Sequence, residues 1–237
     1  KFVSLDYSQI ELRILAHFSK DENLISSFHR GEDIHTKTAC EVFGVKPEDV
    51  TPEMRRVAKV INFGIAYGMS PFGLAKELNI DRYSAELYIK RYFERYPGVK
   101  AYIEEVTRFA QETGYVKTLC GRKRFIPEIF SPNKNLRDLG FRMAINTPIQ
   151  GSAADLIKSA MVALSHEIKN RGLKSKILLQ VHDELILEVP EEELEEVKSL
   201  AIEVMEEPFS RLTLPIRLSV AIKVNFSYGR SWADCKE

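Results

Sequence analysis

Two apolar, strand-type runs at 177–181 and 185–189 are separated only by His182, Asp183 and Glu184, in K-I-L-L-Q-V-H-D-E-L-I-L-E-V. Such runs, divided by a short polar triplet, predict a tight β-hairpin with acidic residues at its tip. The triplet contains neither Asn-Gly nor Asp-Gly, so ease of turning does not account for it. Taken alone, the acidic pair reads first as a solvated turn. A second alternation predicts a last strand over 214–224, with Leu218, Val220, Ile222 and Val224 on one face. Residues 2–5 predict a short strand ending at Asp6, and 115–126 a second small hairpin turning at Gly121.

Helical signals fill the space between. Ser8 and Glu11 form an S-x-x-E capping box that opens a helix through about Phe18. Residues 21–50 are polar and helical in pieces, broken at Gly31 and Gly44. Thr51-Pro52 is an N-cap and first-turn pair that launches M-R-R-V-A-K-V-I-N-F-G-I-A-Y-G. Asp81 caps a helix to Arg95, and Pro97 starts another that ends at Gly114. Residues 135–146 predict a helix broken by Pro148, followed by a further helix over 152–169 that stops at Gly172. An amphipathic acidic helix is expected over 191–207. The chain has no internal repeat, low-complexity segment or flexible linker.

Composition narrows the class. The 237 residues, 44% hydrophobic and 29% charged, suit a globular protein with one large or two small cored domains. Lys plus Arg and Asp plus Glu number 34 each, so net charge is zero and any face for a polyanion must come from local clustering. Cys40, Cys120 and Cys235 show neither metal-ligand spacing nor a disulfide framework, which fits a reducing compartment. No apolar run approaches about 18 residues, so no membrane span is expected. The opening K-F-V-S-L is not a signal peptide and reads as the middle of a strand, so the chain is expected to belong to a longer polypeptide.

The candidate chemistry is anionic and cationic in turn. Two neighbouring carboxylates on a rigid hairpin repel unless a cation or donor offsets them. Asp6 ends a strand beside a helix start, a common place for a site carboxylate, though also for a residue that merely opens the helix. Arg55, Lys59, Phe63 and Tyr67 recur at i+4 and share one stripe, while the aliphatics Val57, Val60 and Ile61 lie on other faces. Two cations followed by two flat rings match a ligand that is phosphate at one end and base at the other. A basic helix end with two core aromatics is the plainer alternative. Gly64 and Gly68 weaken that helix by about 1 kcal/mol each, which suggests close approach or movement. His35 alone reads as structural or exposed. Arg122, Lys123 and Arg124 fit phosphate contacts or a solvated basic turn equally. The amides of Asn146 and Gln150 can reach base edges or sugars.

D-Y-S-Q-I-E-L-R at 6–13, R-x-x-x-K-x-x-x-F-G-x-x-Y-G at 55–68 and Q-V-H-D-E at 180–184, in this order, closely resemble the three polymerase motifs of family A DNA polymerases. G-Y-V-x-T-L-x-G-R-K-R and N-T-P-I-Q-G-S-A-A-D resemble that family too, and the resemblance covers essentially the whole chain. It implies an α+β fold, an antiparallel palm sheet with mostly helical fingers, part of a right-hand polymerase. The palm would occupy 1–20 and 136–237 and the fingers 21–135. It implies a template-directed DNA polymerase of replication or repair that transfers a nucleotide from a dNTP to a primer 3′-OH. Asp6, Asp183 and Lys59 would be catalytic. Asp6, the Tyr7 carbonyl and Asp183, with Glu184 beside them, would hold two Mg²⁺ ions. Two cations roughly 3.5–4 Å apart stabilise the attacking and leaving oxygens of such a transfer. Gln9, Glu11, His35, Arg55, Lys59, Phe63 and Tyr67 would bind the incoming nucleotide, with Arg55, Lys59 and His35 on its triphosphate. Glu11 would crowd the sugar 2′ position, and Tyr67 would hold the template-base place until the fingers close. Arg122, Arg142, Asn146, Gln150 and His182 would contact primer–template DNA.

The implied partners are primer–template DNA, dNTPs and the remaining polymerase portion, thumb and N-terminal palm, without which the 237 residues are expected to be weak or inactive. No membrane partner is expected, and the implied location is cytoplasmic, at the nucleoid. Three alternatives remain open at this stage. A reverse transcriptase-like polymerase would share the two-metal chemistry. A metal-dependent phosphohydrolase would not need the Arg-Lys-Phe-Tyr stripe. A non-catalytic nucleic-acid-binding fragment of a polymerase would lose nothing on removal of Asp183.

Overall fold

Strand- and helix-forming segments fall largely where the polar–apolar pattern places them in the computed structural model, which describes residues 1–212 and 214–236. In chain order these are β1 (Phe2–Tyr7), α1 (Ile10–Ser19), α2 (Glu22–His29), α3 (Ile34–Phe43), α4 (Pro52–Ala66), α5 (Pro71–Leu78), α6 (Arg82–Arg95) and α7 (Pro97–Thr113). There follow β2 (Tyr115–Lys117), β3 (Lys123–Phe125), α8 (Lys134–Asn170), β4 (Lys176–Val181), β5 (Glu184–Glu188), α9 (Leu194–Glu206), α10 (Pro208–Arg211) and β6 (Val224–Gly229). The expected α+β class holds. The chain forms two compact units, Lys1–Ile10 with Ser152–Glu237, and Glu11–Gly151.

In the first unit an antiparallel sheet runs β4-β5-β1-β6. Alternation along β1 buries Val3, Leu5 and Tyr7 on one face and puts Ser4 and Asp6 on the other. Leu185 and Leu187 of β5 are buried as well, and α9 brings Val197, Leu200, Ala201 and Val204 at helical spacing to the same core. The Tyr7 hydroxyl donates to the Met205 carbonyl at 2.9 Å, satisfying a polar group inside that core. β1 runs on to Tyr7 rather than ending at Asp6, because β5 and β6 pair with it on both sides. The strand expected over 214–224 forms instead at Val224–Gly229. The preceding segment keeps its alternation, with Val220 and Ile222 buried, but among the described residues no strand pairs with it.

The expected break at Pro148 does not occur: α8 is one helix of 37 residues with Pro148 inside. A mid-helix proline costs about 3 kcal/mol through its missing N–H and its ring. Close packing offsets it here, since Ala144, Ile145 and Ile149 are buried around it and the Tyr102 hydroxyl donates to the Ile145 carbonyl at 3.3 Å.

The second unit is helical. Asp21 caps two helices at once: Oδ1 accepts from Leu24 N–H at 3.0 Å at the start of α2, and Oδ2 accepts from Gly98 N–H at 2.8 Å at the start of α7. The approach requires glycine, because a Cβ on residue 98 would lie 2.8 Å from Asp21 Cα. Thr51 caps α4 as expected, and Ser70-Pro71 repeats that signal for α5, a helix not anticipated from sequence. α1 begins at Ile10, one residue later than a Ser8 cap implies, because Gln9 takes a left-handed conformation with φ 52°. Among the described residues no helix is long and apolar enough to cross a membrane. Asp21→Ala should remove both caps and cost about 2 kcal/mol, at about 1 kcal/mol per cap, read as a lower urea midpoint with unchanged slope. A cost below about 0.5 kcal/mol would mean the two caps do not hold α2 and α7.

Candidate active site

Asp6 and Glu184 meet in the first unit, and the backbone of Asp183 is tied beside them. Asp6 pairs in register with Glu184 across β1 and β5, and Tyr7 N–H donates to the Asp183 carbonyl at 3.1 Å. Asp183 therefore lies in the β4–β5 turn beside the C-terminal end of β1. The turn has two residues, His182 and Asp183, and Glu184 already belongs to β5. His182 has φ 54°, a left-handed value that two-residue hairpin turns ordinarily give to glycine, asparagine or aspartate. The cost of such a conformation is about 1 kcal/mol or more, and the Gln180 amide, donating to the His182 carbonyl at 2.6 Å, helps to hold it. His182 is exposed.

Glu184 differs from the two aspartates. Its Oε1 accepts from the Ser4 hydroxyl at 2.6 Å and from the Trp232 indole N–H at 3.0 Å. Those donors anchor it beside Asp6. The set of Asp6 and Asp183 carboxylates plus backbone carbonyl consists of hard oxygen donors. Mg²⁺ takes few protein carboxylates and keeps water or phosphate oxygens for the remaining positions, so the residues fit it. Among the described residues no group of three or more His, Cys, Asp or Glu side chains forms a ready-made metal cage, so the fit rests on the two aspartates and backbone oxygen.

The second unit carries the nucleotide-binding candidates apart from Gln9, which lies two residues past the end of β1. The Tyr67 hydroxyl donates to Glu11 Oε2 at 2.6 Å. Tyr67 stacks near Phe63, with centroids 6.3 Å apart, and Phe63 lies 5.8 Å from the His35 ring. Glu11, Tyr67, Phe63 and His35 thus form one row. Arg55 is exposed and bound at 2.6 Å to Asp33, the N-cap of α3 that leads into His35, while Lys59 is exposed further along α4. Burial pushes the Asp33 carboxyl up, but hydrogen bonds from Arg55, Thr36 and His35 N–H outweigh it and leave it lowered. Burial holds the His35 imidazole down to about 4, with Arg55 and Lys59 adding to the effect and Asp33 opposing it. At Gly68 (φ 67°) a Cβ would lie 3.0 Å from Ile145 Cδ1 and 3.4 Å from Arg142 Cα, so the end of α4 presses on α8.

Arg142, Asn146 and Gln150 share one face of α8 at i+4 spacing. Arg142 and Gln150 are exposed, and Asn146 Oδ1 is buried without a hydrogen-bond partner. The β2–β3 hairpin lies against the same stretch. Arg122 donates to the Gly151 carbonyl at 3.0 Å, Arg124 donates to Thr147 at 3.2 Å, and Arg122 and Gln150 line one pocket. Sequence reasoning missed Asn62, Thr38, Asp33, Ser4 and Trp232, which hold the candidate side chains in place. The one available signal was an amide at 62 among Val60, Ile61 and Ile65, because a buried polar group requires partners.

A profile described as DNA polymerase family A matches residues 1–234. DNA polymerase I of Bacillus caldotenax is 53% identical over 231 residues, covering 98% of this chain and 26% of that protein. DNA polymerase I of Bacillus subtilis gives the same identity and coverage: 53%, 98% and 26%. A solved structure, the POL domain of Pol1 from M. smegmatis in complex with DNA primer-template and dNTP, superposes with TM-score 0.93 at 44% identity, covering 100% of this chain and 40% of that one. The chain belongs to DNA polymerase family A. It spans 26% of the length of these curated relatives.

Because the folded His35 binds a proton only near pH 4, whereas a free imidazole does so near 6.5, its contribution to stability is full above pH 6.5 and declines as pH falls toward 4. NMR titration of His35 should show no transition between pH 5.5 and 8. A midpoint above about 6 would contradict the burial-driven shift.

Proposed function

We propose that this chain is the catalytic part of a DNA-directed DNA polymerase that adds dNTPs to a primer 3′-OH in replication or repair, with residues 1–20 and 136–237 as palm and 21–135 as fingers. The observation that carries this reading is the β1–β5 register in a family A chain: it brings Asp6 and the Asp183 turn to one end of a four-stranded sheet. Asp6, the Tyr7 carbonyl and Asp183 would hold two Mg²⁺ ions, and Glu184, anchored by Ser4 and Trp232, would stand beside them. When bound, the ions supply charge stabilisation for the attacking 3′-oxygen and the leaving pyrophosphate.

The protein's own groups then position and neutralise the nucleotide. Lys59, exposed on α4, reaches the triphosphate and gives a proton to the leaving pyrophosphate. Arg55 exchanges Asp33 for a phosphate oxygen, a charge-assisted contact of the same kind. His35 donates to the triphosphate as a neutral imidazole. Phe63 stacks by the base and sugar, Gln9 contacts the nucleotide, and Glu11 crowds the sugar 2′ position. The Tyr67–Glu11 bond holds the template-base place until the nucleotide arrives. Arg122, Arg142, Asn146, Gln150 and His182 face primer–template DNA, whose remaining grip comes from a thumb and first palm part outside this chain. The setting is the cytoplasm, at the nucleoid.

The test is primer extension by the full polypeptide that contains this chain, with Mg²⁺ and dNTPs. Asp6→Ala and Asp183→Ala should each lower incorporation by at least roughly 10²–10³-fold, the scale of losing one preorganised charge-stabilising group, with primer–template affinity unchanged. Retained incorporation, or a loss confined to DNA affinity, contradicts the assignment. The isolated chain should extend primers weakly or not at all, and robust processive extension by it would overturn the need for the missing thumb.

A further inference from the structure

We propose that Asn62 is a positioning residue for nucleotide binding: its amide, hydrogen-bonded to Thr38 through Oδ1, holds His35 in the Nε2–H tautomer, so that the imidazole presents a donor to a triphosphate oxygen. This rests on the polymerase reading above and adds to it a residue that does not itself touch the nucleotide.

Asn62, Thr38 and His35 are all nearly fully buried, at 1%, 1% and 3% exposure. The Thr38 hydroxyl lies 3.0 Å from Asn62 Oδ1, and Asn62 Nδ2 lies 3.0 Å from His35 Nδ1. An amide oxygen only accepts and an amide nitrogen only donates. With Oδ1 on the Thr38 side the hydroxyl donates to it, and the amide nitrogen is left facing the ring. With Nδ2 turned to the ring, His35 Nδ1 must accept, and the single ring proton of the neutral form sits on Nε2. A hydrogen bond to one ring nitrogen fixing the state of the other is the same device that orients metal-bound histidines.

The alternative tautomer would point a lone pair at a phosphate oxygen and repel it. Asn62 thus decides whether the ring is a donor or an acceptor toward an anion. The groups facing the ring are Asp33 on its own helix and Arg55, Lys59, Asn62 and Phe63 on α4. Burial together with Arg55 and Lys59 keeps the ring uncharged, so its usefulness to a triphosphate lies in a directed N–H and not in a positive charge. Phe63, against which the ring lies, continues the row to Tyr67 and Glu11.

The experiment uses the full polypeptide that contains this chain and has two arms. Nitrogen-15 NMR of histidine, with the His35 signals assigned by their loss in His35→Gln, should show Nε2 protonated and Nδ1 bare. Asn62→Asp, which offers an acceptor in place of the donor, should move the proton to Nδ1. In steady-state primer extension, Asn62→Asp and Asn62→Ala should raise KM for dNTP about tenfold, the scale of one hydrogen bond to a charged group, with little change in kcat. In a His35→Gln background Asn62→Ala should add almost nothing, because the residue acts through His35. A protonated Nδ1 in the unmodified protein overturns the proposal. An equal cost of Asn62→Ala in both backgrounds also overturns it, since that is the mark of a purely structural residue. The NMR arm needs no turnover, so failure of the polymerase reading and failure of this assignment register separately.

Discussion

The pairing of β1 with β5 is the constraint on which the candidate catalytic centre depends. Side chains on a strand alternate faces, so a slip of one residue would turn Asp6 into the core and Leu5 outward. Val3, Leu5 and Tyr7 are all buried on one face, and Leu185 and Leu187 are buried in the partner strand. Burying Val3, Leu5 and Tyr7 together is incompatible with an odd shift of register, so β1 aims Asp6 away from that core, and hydrogen bonds from Ser4 and Trp232 hold Glu184 beside it. The backbone bond from Tyr7 N–H to the Asp183 carbonyl then ties the turn to the end of β1. A strained His182 at that turn is tolerable only because strands on both sides over-determine it.

The second unit uses the same economy with helices. Asp21 ties the starts of α2 and α7, Thr51 starts α4, and Asp33 starts α3 while holding Arg55. Each is a short polar side chain satisfying backbone donors at a helix N-terminus. Glycine at 68 lets the last turn of α4 close onto α8, and glycine at 151 lets the β2–β3 hairpin approach, since a Cβ there would lie 2.6 Å from Thr118 Cγ2. The row from His35 through Phe63 and Tyr67 to Glu11 is a consequence of those placements.

Much of this was legible from residue pattern. The 176–189 hairpin, the Thr51-Pro52 helix start, the Asp81 and Pro97 starts and the breaks at Gly31 and Gly44 are local signals, set by backbone chemistry within a few residues. Where tertiary packing decides, local signals failed. Pro148 sits inside a continuous helix because its surroundings are buried. The alternating segment before Val224 lacks a strand partner, and the strand forms further on. Long-range polar contacts were also out of reach: nothing near residue 184 announces Ser4 or Trp232, and nothing near residue 62 announces Thr38. Of the candidate site residues, the Arg55, Lys59, Phe63 and Tyr67 stripe was legible as a pattern, whereas the acidic pair and His35 gained their candidate roles only from the resemblance to a family, since a lone acidic pair or a lone histidine carries little information.

The most direct test of the central claim is where divalent ions bind. Crystals of the full polypeptide with primer–template and an unreactive dNTP analogue, soaked in Mn²⁺, can be read by anomalous scattering. Two peaks touching the carboxylates of both Asp6 and Asp183, with Glu184 still held by Trp232, is the expected result. No peak at that end of the sheet, or a peak held by Glu184 without Asp6, would contradict it.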